Sequence, residues 1–322
     1  MKKWQKIPVI TLSIILLLGI IKNQIIKTVV ATAASSILGA KVHIDSLAVG
    51  VFKPAIKING LKVYNPKDFP KGILIDINKM EVQYNLPSIL KGKLHLPLVA
   101  LDLKEMIVVK NATGELNVDS LKVIQQEDGQ KQINNKNKKP AKQMSMQIDE
   151  LHLNLGKAII KDYTKGELPT VLAYDIGIKN KIYTNIQSAQ ELVARIMLDA
   201  MGPIGLKSAA IYGAATALGV AFLPAGIAGI LIGEDSVVGI YKSSPDKVFD
   251  KALELLQKIG TIKKSNTQRK TITANVYGAD VNLTISINTD KKTEVRIKAR
   301  QLMAPKDEIA GGVLYQLSQE IK

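Results

Sequence analysis

Short apolar runs with a period of two fill the chain from Val42 to Leu121, and this alternation constrains the fold more than any other feature. The period places apolar side chains on one face of a strand and charged or amide side chains on the other. Residue pairs typical of turns separate the runs, among them Asn59-Gly60, Asn65-Pro66 and Lys71-Gly72. A sheet of this kind has one apolar face, and something must cover it.

Two stretches, Gly60 to Pro66 (GLKVYNP) and Gly114 to Leu121 (GELNVDSL), resemble the AsmA-like family of bacterial envelope proteins. The resemblance covers residues 1–186 and implies a curved antiparallel sheet whose concave face shields the acyl chains of a phospholipid. Ordinary core packing is the alternative for every residue on that face. The candidate groove-lining residues are Ile56, Ile58, Ile73, Ile75, Val82, Tyr84, Leu94, Leu96 and Ile107.

The N-terminus pairs a basic flank, Met1 to Lys6, with an uncharged apolar run from Ile7 to Ile21. This pattern predicts an uncleaved transmembrane helix with its N-terminus in the cytoplasm, and therefore a single-pass protein of the bacterial inner membrane with most of the chain in the periplasm. A cleaved signal peptide is the alternative, but its possible cleavage site, Ala31-Thr32-Ala33, lies too far from the apolar run. The predicted anchor residues are Trp4, Ile7, Ile14, Leu16, Leu18 and Ile21.

The composition along the chain predicts an α+β protein with four parts. These are a membrane anchor and stalk helix (1–40), an AsmA-like β-groove domain (41–186) with a disordered polar loop (125–143), an apolar helical segment (187–236) and a small α/β domain (237–322). In the stalk helix, Ile25, Val29 or Val30, and Ile37 are expected on one stripe, and Gly39 ends the helix.

The segment from Ser208 to Gly233 has no charged residue, which leaves three alternatives: a transmembrane span, a re-entrant or interfacial hairpin, or a segment packed under the sheet. The part that follows it has the predicted order β-α-β-β-β-α. Ser244 and Pro245 begin its first helix and Gly260 ends it. This part resembles a small domain of bacterial lipoproteins of unknown function.

Residues typical of catalysis are sparse, so we expect a protein that is not an enzyme and has no cofactor. The chain has no cysteine, and its three histidines, His43, His95 and His152, stand singly on predicted strands. Gly311-Gly312 lacks the Lys and Ser or Thr of a phosphate-binding loop. The net charge of +16 comes from lysines spread along the strands, which does not indicate nucleic-acid binding.

Two functions fit these patterns. The first is binding or transfer of phospholipid in an AsmA-like groove, or envelope lipid homeostasis, in outer membrane biogenesis. The alternative is a non-enzymatic structural or assembly factor of the envelope that acts through protein–protein contacts. The expected partners are membrane phospholipid, the inner membrane through the N-terminal helix, and other envelope proteins.

Overall fold

The structure, a computed structural model, describes residues 23–50, 53–125, 145–206, 208–218 and 236–321. Within these ranges the chain forms two sheets and seven helices. The strands of the first sheet are β1 (Val42–Val49), β2 (Ala55–Tyr64), β3 (Ile73–Gln83), β4 (Leu94–Lys110), β5 (Met146–Asp162) and β6 (Thr170–Ile186). The helices of this part are α1 (23–38), α2 (Leu86–Leu90), α3 (Lys122–Gln125), α4 (Ala189–Met201) and α5 (Ala209–Ala217).

The six strands lie in sequence order, and every neighbouring pair is antiparallel except β4 and β5, which run parallel. Their pairing runs from Leu94 opposite Met146 to Lys110 opposite Asp162. The predicted α+β fold with a wholly antiparallel sheet is therefore wrong, and the fold is mixed α/β. The direction of β5 relative to β4 is a property of the connection between the two strands, which the alternation within each strand does not encode.

The structure differs from the predicted turn at Asn59-Gly60. Gly60 lies inside β2 with a φ of +63°, so Asn59-Gly60 bends the strand without ending it. A Cβ at this position would lie within 3 Å of three atoms of the Asp45 side chain on β1. Glycine is the residue that adopts this backbone conformation without a steric penalty.

Helices cover the apolar face of the first sheet. Buried side chains from all six strands form one cluster, the first core, with Val123 and Ile124 of α3, Met197 of α4 and Ile211 of α5. The stripe of α1 that packs against this core is Ile26, Val30, Ala34 and Leu38. The predicted stripe was displaced by one residue at two of its positions, since Ile25 and Ile37 are exposed; of the alternatives Val29 and Val30, it is Val30 that packs.

The segment that begins at Ser208 packs, as far as it is described, under the sheet. Ile211, Ala214 and Ala215 of α5 belong to the first core. The hydroxyl of Ser208 accepts a hydrogen bond from the Ile211 N–H at 3.0 Å, which caps the helix, and donates one to the Asp119 carboxylate. Residues 219–235 lie outside the described residues, as does the predicted disordered loop apart from Gln125, which ends α3.

The second sheet forms the C-terminal module. Its elements are β7 (Val237–Tyr241), α6 (Pro245–Ile259), β8 (Gly260–Asn266), β9 (Thr271–Val276), β10 (Ala279–Ile287), β11 (Thr293–Gln301), β12 (Ala304–Pro305) and α7 (Asp307–Glu320). The strand order is β12-β11-β10-β9-β8, with β7 also on β11. The predicted helices are present, with Ser244 capping the first, but β8 was missed because its polar sequence lacks apolar alternation, and β12 because its two residues are too few to show one.

The prediction of a transmembrane helix and a single-pass inner-membrane location needs correction. Among the described residues, none of the helices combines the length and the apolar character that crossing a bilayer requires. The predicted anchor residues Trp4, Ile7, Ile14, Leu16, Leu18 and Ile21 lie outside the described residues.

Candidate functional site

The candidate groove-lining residues are packed against protein. Ile58, Ile75, Val82 and Leu96 are buried in the first core, and Ile56, Tyr84 and Leu94 are half-buried against it. Ile107 and Ile73 belong to a different cluster on the opposite face of the sheet. The structure thus brings seven of the nine together, on a face that helices occupy. Lipid binding by these residues stays a prediction.

A polar network fixes α4 on the end of β6. The Tyr183 hydroxyl donates to the Asp199 carboxylate at 2.6 Å, and the Lys181 ammonium donates to the same carboxylate at 2.5 Å. Arg195 stacks over the Tyr183 ring at 5.1 Å and pairs with Glu191 at 2.6 Å. Burial, together with the nearby Asp199 carboxylate, holds the pKa of Tyr183 far above its ordinary value. Two cations and two carboxylates balance in this network, so it closes the helix layer over the sheet without leaving an isolated buried charge.

The opposite face of the sheet carries a smaller apolar cluster, which we call the second-face cluster. Its buried members are Phe69, Ile107, Val109, Ile159 and Val171.

Asn117, in the segment after β4, is hydrogen-bonded to two residues of the second-face cluster and to Asn65. Its side-chain amide donates to the Ile107 carbonyl at 3.0 Å and to the Asn65 side chain at 2.8 Å, and its carbonyl accepts from the Val109 N–H at 3.0 Å. Asn117 is completely buried. Its side chain therefore satisfies backbone groups at the end of β4 that burial removes from water.

The C-terminal module docks on this face through α7. Gly311 and Gly312 let the helix approach the β6 backbone: a Cβ at Gly312 would lie 1.9 Å from the Val171 carbonyl oxygen, and one at Gly311 would lie 2.8 Å from that of Ala173. Next to this contact, Tyr315 of α7 enters the second-face cluster. The two glycines thus make a close helix–strand junction.

A cavity of about 210 Å³ lies at this junction. Its walls include Lys161, Val171, Lys258, Tyr315 and Gln319. Burial lowers the pKa of Lys161, whose ammonium lies 5.5 Å from the centre of the Tyr315 ring. Burial also raises the pKa of Tyr315, and the Glu105 and Asp76 carboxylates add to the effect. The cavity lining thus combines apolar and polar side chains.

A second, open trough of about 590 Å³ crosses the middle of strands β3 to β6. Its polar side chains include Asn78, Asp102, Lys104, Asn154 and Asp175, and the Asn78 amide donates to the Asp102 carboxylate at 2.9 Å. None of the nine candidate groove residues lines this trough or the junction cavity. The trough lining therefore mixes these polar side chains with the apolar Leu103, Leu155 and Ile178, and it lies apart from the predicted site for acyl chains.

Each histidine has a carboxylate neighbour. His95 lies 2.7 Å from Asp149, His152 lies 3.1 Å from Glu150, and His43 lies 3.2 Å from Asp45. The three are on different strands, and in the described ranges no group of three or more His, Cys, Asp or Glu residues could hold a metal ion.

Comparison with known proteins finds neither a protein-family model nor a curated protein that matches the chain.

Sequence reasoning missed the junction and the network on α4. A Gly-Gly pair inside an amphipathic helix is a signal for close packing, and this signal was available at Gly311-Gly312. The network of Tyr183 and Asp199 had no such signal, because it joins residues on a strand and a helix whose relative placement the sequence does not show.

Proposed function

We propose that the protein is a non-enzymatic structural or assembly factor of the bacterial envelope that acts through protein–protein contacts. The observation that supports this function over lipid transfer is the cover on the apolar face, where α1, α3, α4 and α5 pack against the sheet. A lipid carrier needs that face open to acyl chains, whereas in a scaffold protein the chain's own helices fill it. The envelope location rests on the sequence resemblance to AsmA-like proteins alone.

The outer edge of β6 is the surface best suited to a protein partner. β6 is the last strand of the sheet, and α7 approaches its backbone at Val171 and Ala173. Further along the strand, Ile182 is 50% exposed. An edge strand presents backbone N–H and C=O groups to which an extended segment of another protein can pair.

The decisive experiment measures bound lipid. The protein is purified in mild detergent, and native mass spectrometry determines whether a phospholipid accompanies it in stoichiometric amount. We expect none. Ile75→Asp and Leu96→Asp are expected to unfold the protein, because each places a carboxylate in the first core without a partner, at a cost of several kcal/mol. Lys79→Asp, at an exposed position of β3, is the matched control and should leave the fold intact.

One result would refute the proposal and support the carrier function. The wild type would carry stoichiometric phospholipid, and Ile75→Asp or Leu96→Asp would lose it while its circular dichroism spectrum stays native. A photo-cross-linking amino acid at Ile182 gives the positive test in cells. It should yield a discrete protein adduct, whereas the same amino acid at Lys57, an exposed position on β2, should not.

A further inference from the structure

Leu302 and Met303 form the tip of the hairpin between β11 and β12. Their exposed fractions are 98% and 87%. Both residues have positive φ, +49° and +69°, and Gln301 pairs with Ala304 across the turn. A two-residue turn with two positive φ values strongly favours Asn-Gly. Large apolar residues at such positions are unfavourable for the turn and expose apolar surface to water.

A third exposed apolar residue belongs to the same end of the molecule. Leu168, 53% exposed, lies in the hairpin between β5 and β6. The neighbouring Pro169 carbonyl accepts a hydrogen bond from the Tyr277 hydroxyl at 3.2 Å. The turn after β9 that contains Tyr277 also contacts β11, since a Cβ at Gly278 would lie 3.4 Å from the Gln301 side-chain nitrogen. The turn of Tyr277 and Gly278 therefore contacts both the hairpin between β5 and β6 and the hairpin between β11 and β12.

Basic side chains surround these apolar tips. Lys298 and Arg300 are exposed on β11 just before the tip, and Lys165 is exposed in the hairpin of Leu168; the acidic neighbours are Asp280, opposite Arg300 on β10, and Glu167. Apolar residues that enter the headgroup region, flanked by Lys and Arg that remain in water, match the surface of an anionic bilayer.

We propose that this end of the protein contacts an anionic phospholipid surface, with the Leu302 and Met303 side chains entering the headgroup region. The contact is peripheral and involves a hairpin tip. It goes beyond the proposed scaffold function and does not require the first core to hold lipid.

The absence of cysteine from the chain allows a local test. In the full chain, Met303→Cys is labelled with the polarity-sensitive fluorophore nitrobenzoxadiazole and mixed with vesicles of equal parts phosphatidylglycerol and phosphatidylcholine, or with phosphatidylcholine alone. The label at 303 should shift its emission to the blue with the anionic vesicles and much less with the neutral ones. The matched control is Ile287→Cys, which labels a residue 65% exposed near the other hairpin of β11 and should not respond.

Adding Leu302→Asn to the labelled Met303→Cys protein should raise the lipid concentration needed for half of the emission change by roughly tenfold, because one large apolar side chain no longer enters the bilayer. Asparagine suits the positive φ at this position, so circular dichroism should remain native. An unchanged emission at 303 with anionic vesicles, an equal response at 287, or a response at 303 only when another protein is added would each overturn the proposal. A lipid-free first core leaves this result unaffected, so the two proposals fail separately.

Discussion

Replacing Gly312 with alanine tests the junction between the C-terminal module and the first sheet. An alanine Cβ at 312 would lie 1.9 Å from the Val171 carbonyl oxygen, where ordinary contact begins at 3.4 Å. The helix must therefore move away by about 1.5 Å, the difference between these two distances. The obstacle is backbone, which cannot rotate aside as a side chain can.

The magnitude follows from two opposing terms. Alanine is favoured over glycine in a helix interior by about 1 kcal/mol. Overpacking costs about 1–3 kcal/mol, and a gap of 0.5–1 Å already removes roughly a quarter to a half of the dispersion energy between facing atoms. Because the required movement exceeds that gap, we place the cost at the upper end and expect Gly312→Ala to lower the free energy of unfolding by about 1–2 kcal/mol.

The assay is urea unfolding followed by circular dichroism, combined with amide hydrogen exchange in β6 at Val171 to Ala173. Gly213→Ala provides the matched control, since Gly213 is in α5 with no atom within 4 Å of the added Cβ. This control should be neutral or more stable by up to about 1 kcal/mol. If Gly312→Ala is as stable as Gly213→Ala and exchange in β6 is unchanged, the close junction does not exist in solution.

Two further predictions concern single side chains. Burial raises the pKa of Tyr241 to about 12, while an unfolded tyrosine titrates near 10, so the stability it contributes is complete below about pH 10 and is lost as pH rises toward the folded value. Between pH 9 and 11, the free energy of unfolding should fall by about 1.4 kcal/mol less in Tyr241→Phe than in the wild type, and an equal fall in both would contradict the shift. Asn117→Leu should cost about 2–4 kcal/mol in urea unfolding, because it leaves the Val109 N–H and the Ile107 carbonyl without their side-chain partner. The same change at the exposed Asn78 should stay within about 0.5 kcal/mol, and equal effects at both sites would refute the role of the buried amide.

Local patterns in the sequence were sufficient for the elements whose determinants are close together in the chain. Alternation predicted strands between Val42 and Leu121, and Ser244 marked a helix start that the structure shows with a capping hydrogen bond. The small residues after Ser208 left three alternatives open, and only the packing of Ile211 in the first core distinguishes among them for the described part.

Features that depend on the path of the chain could not be predicted. The parallel direction of β5, the helices over the apolar face, and the docking of α7 on β6 all join segments far apart in sequence. The candidate groove residues show the limit most clearly. Their alternation correctly places most of them on one face, but the same pattern suits a lipid-lined groove and a face packed against helices.

The parallel pairing of β4 and β5 has a consequence for how fast the protein acquires its structure. These two long strands are far apart in sequence, so pairing them brings distant parts of the unfolded chain together, which costs about 3 kcal/mol of chain entropy. β1 to β4, by contrast, can assemble from adjacent hairpins. We therefore expect the first four strands to form early and β5 and β6 to pair as a hairpin of their own, while the docking of this hairpin on β4 waits for that slow closure, during which the exposed edge of β4 is the place where newly made chains are most prone to aggregate.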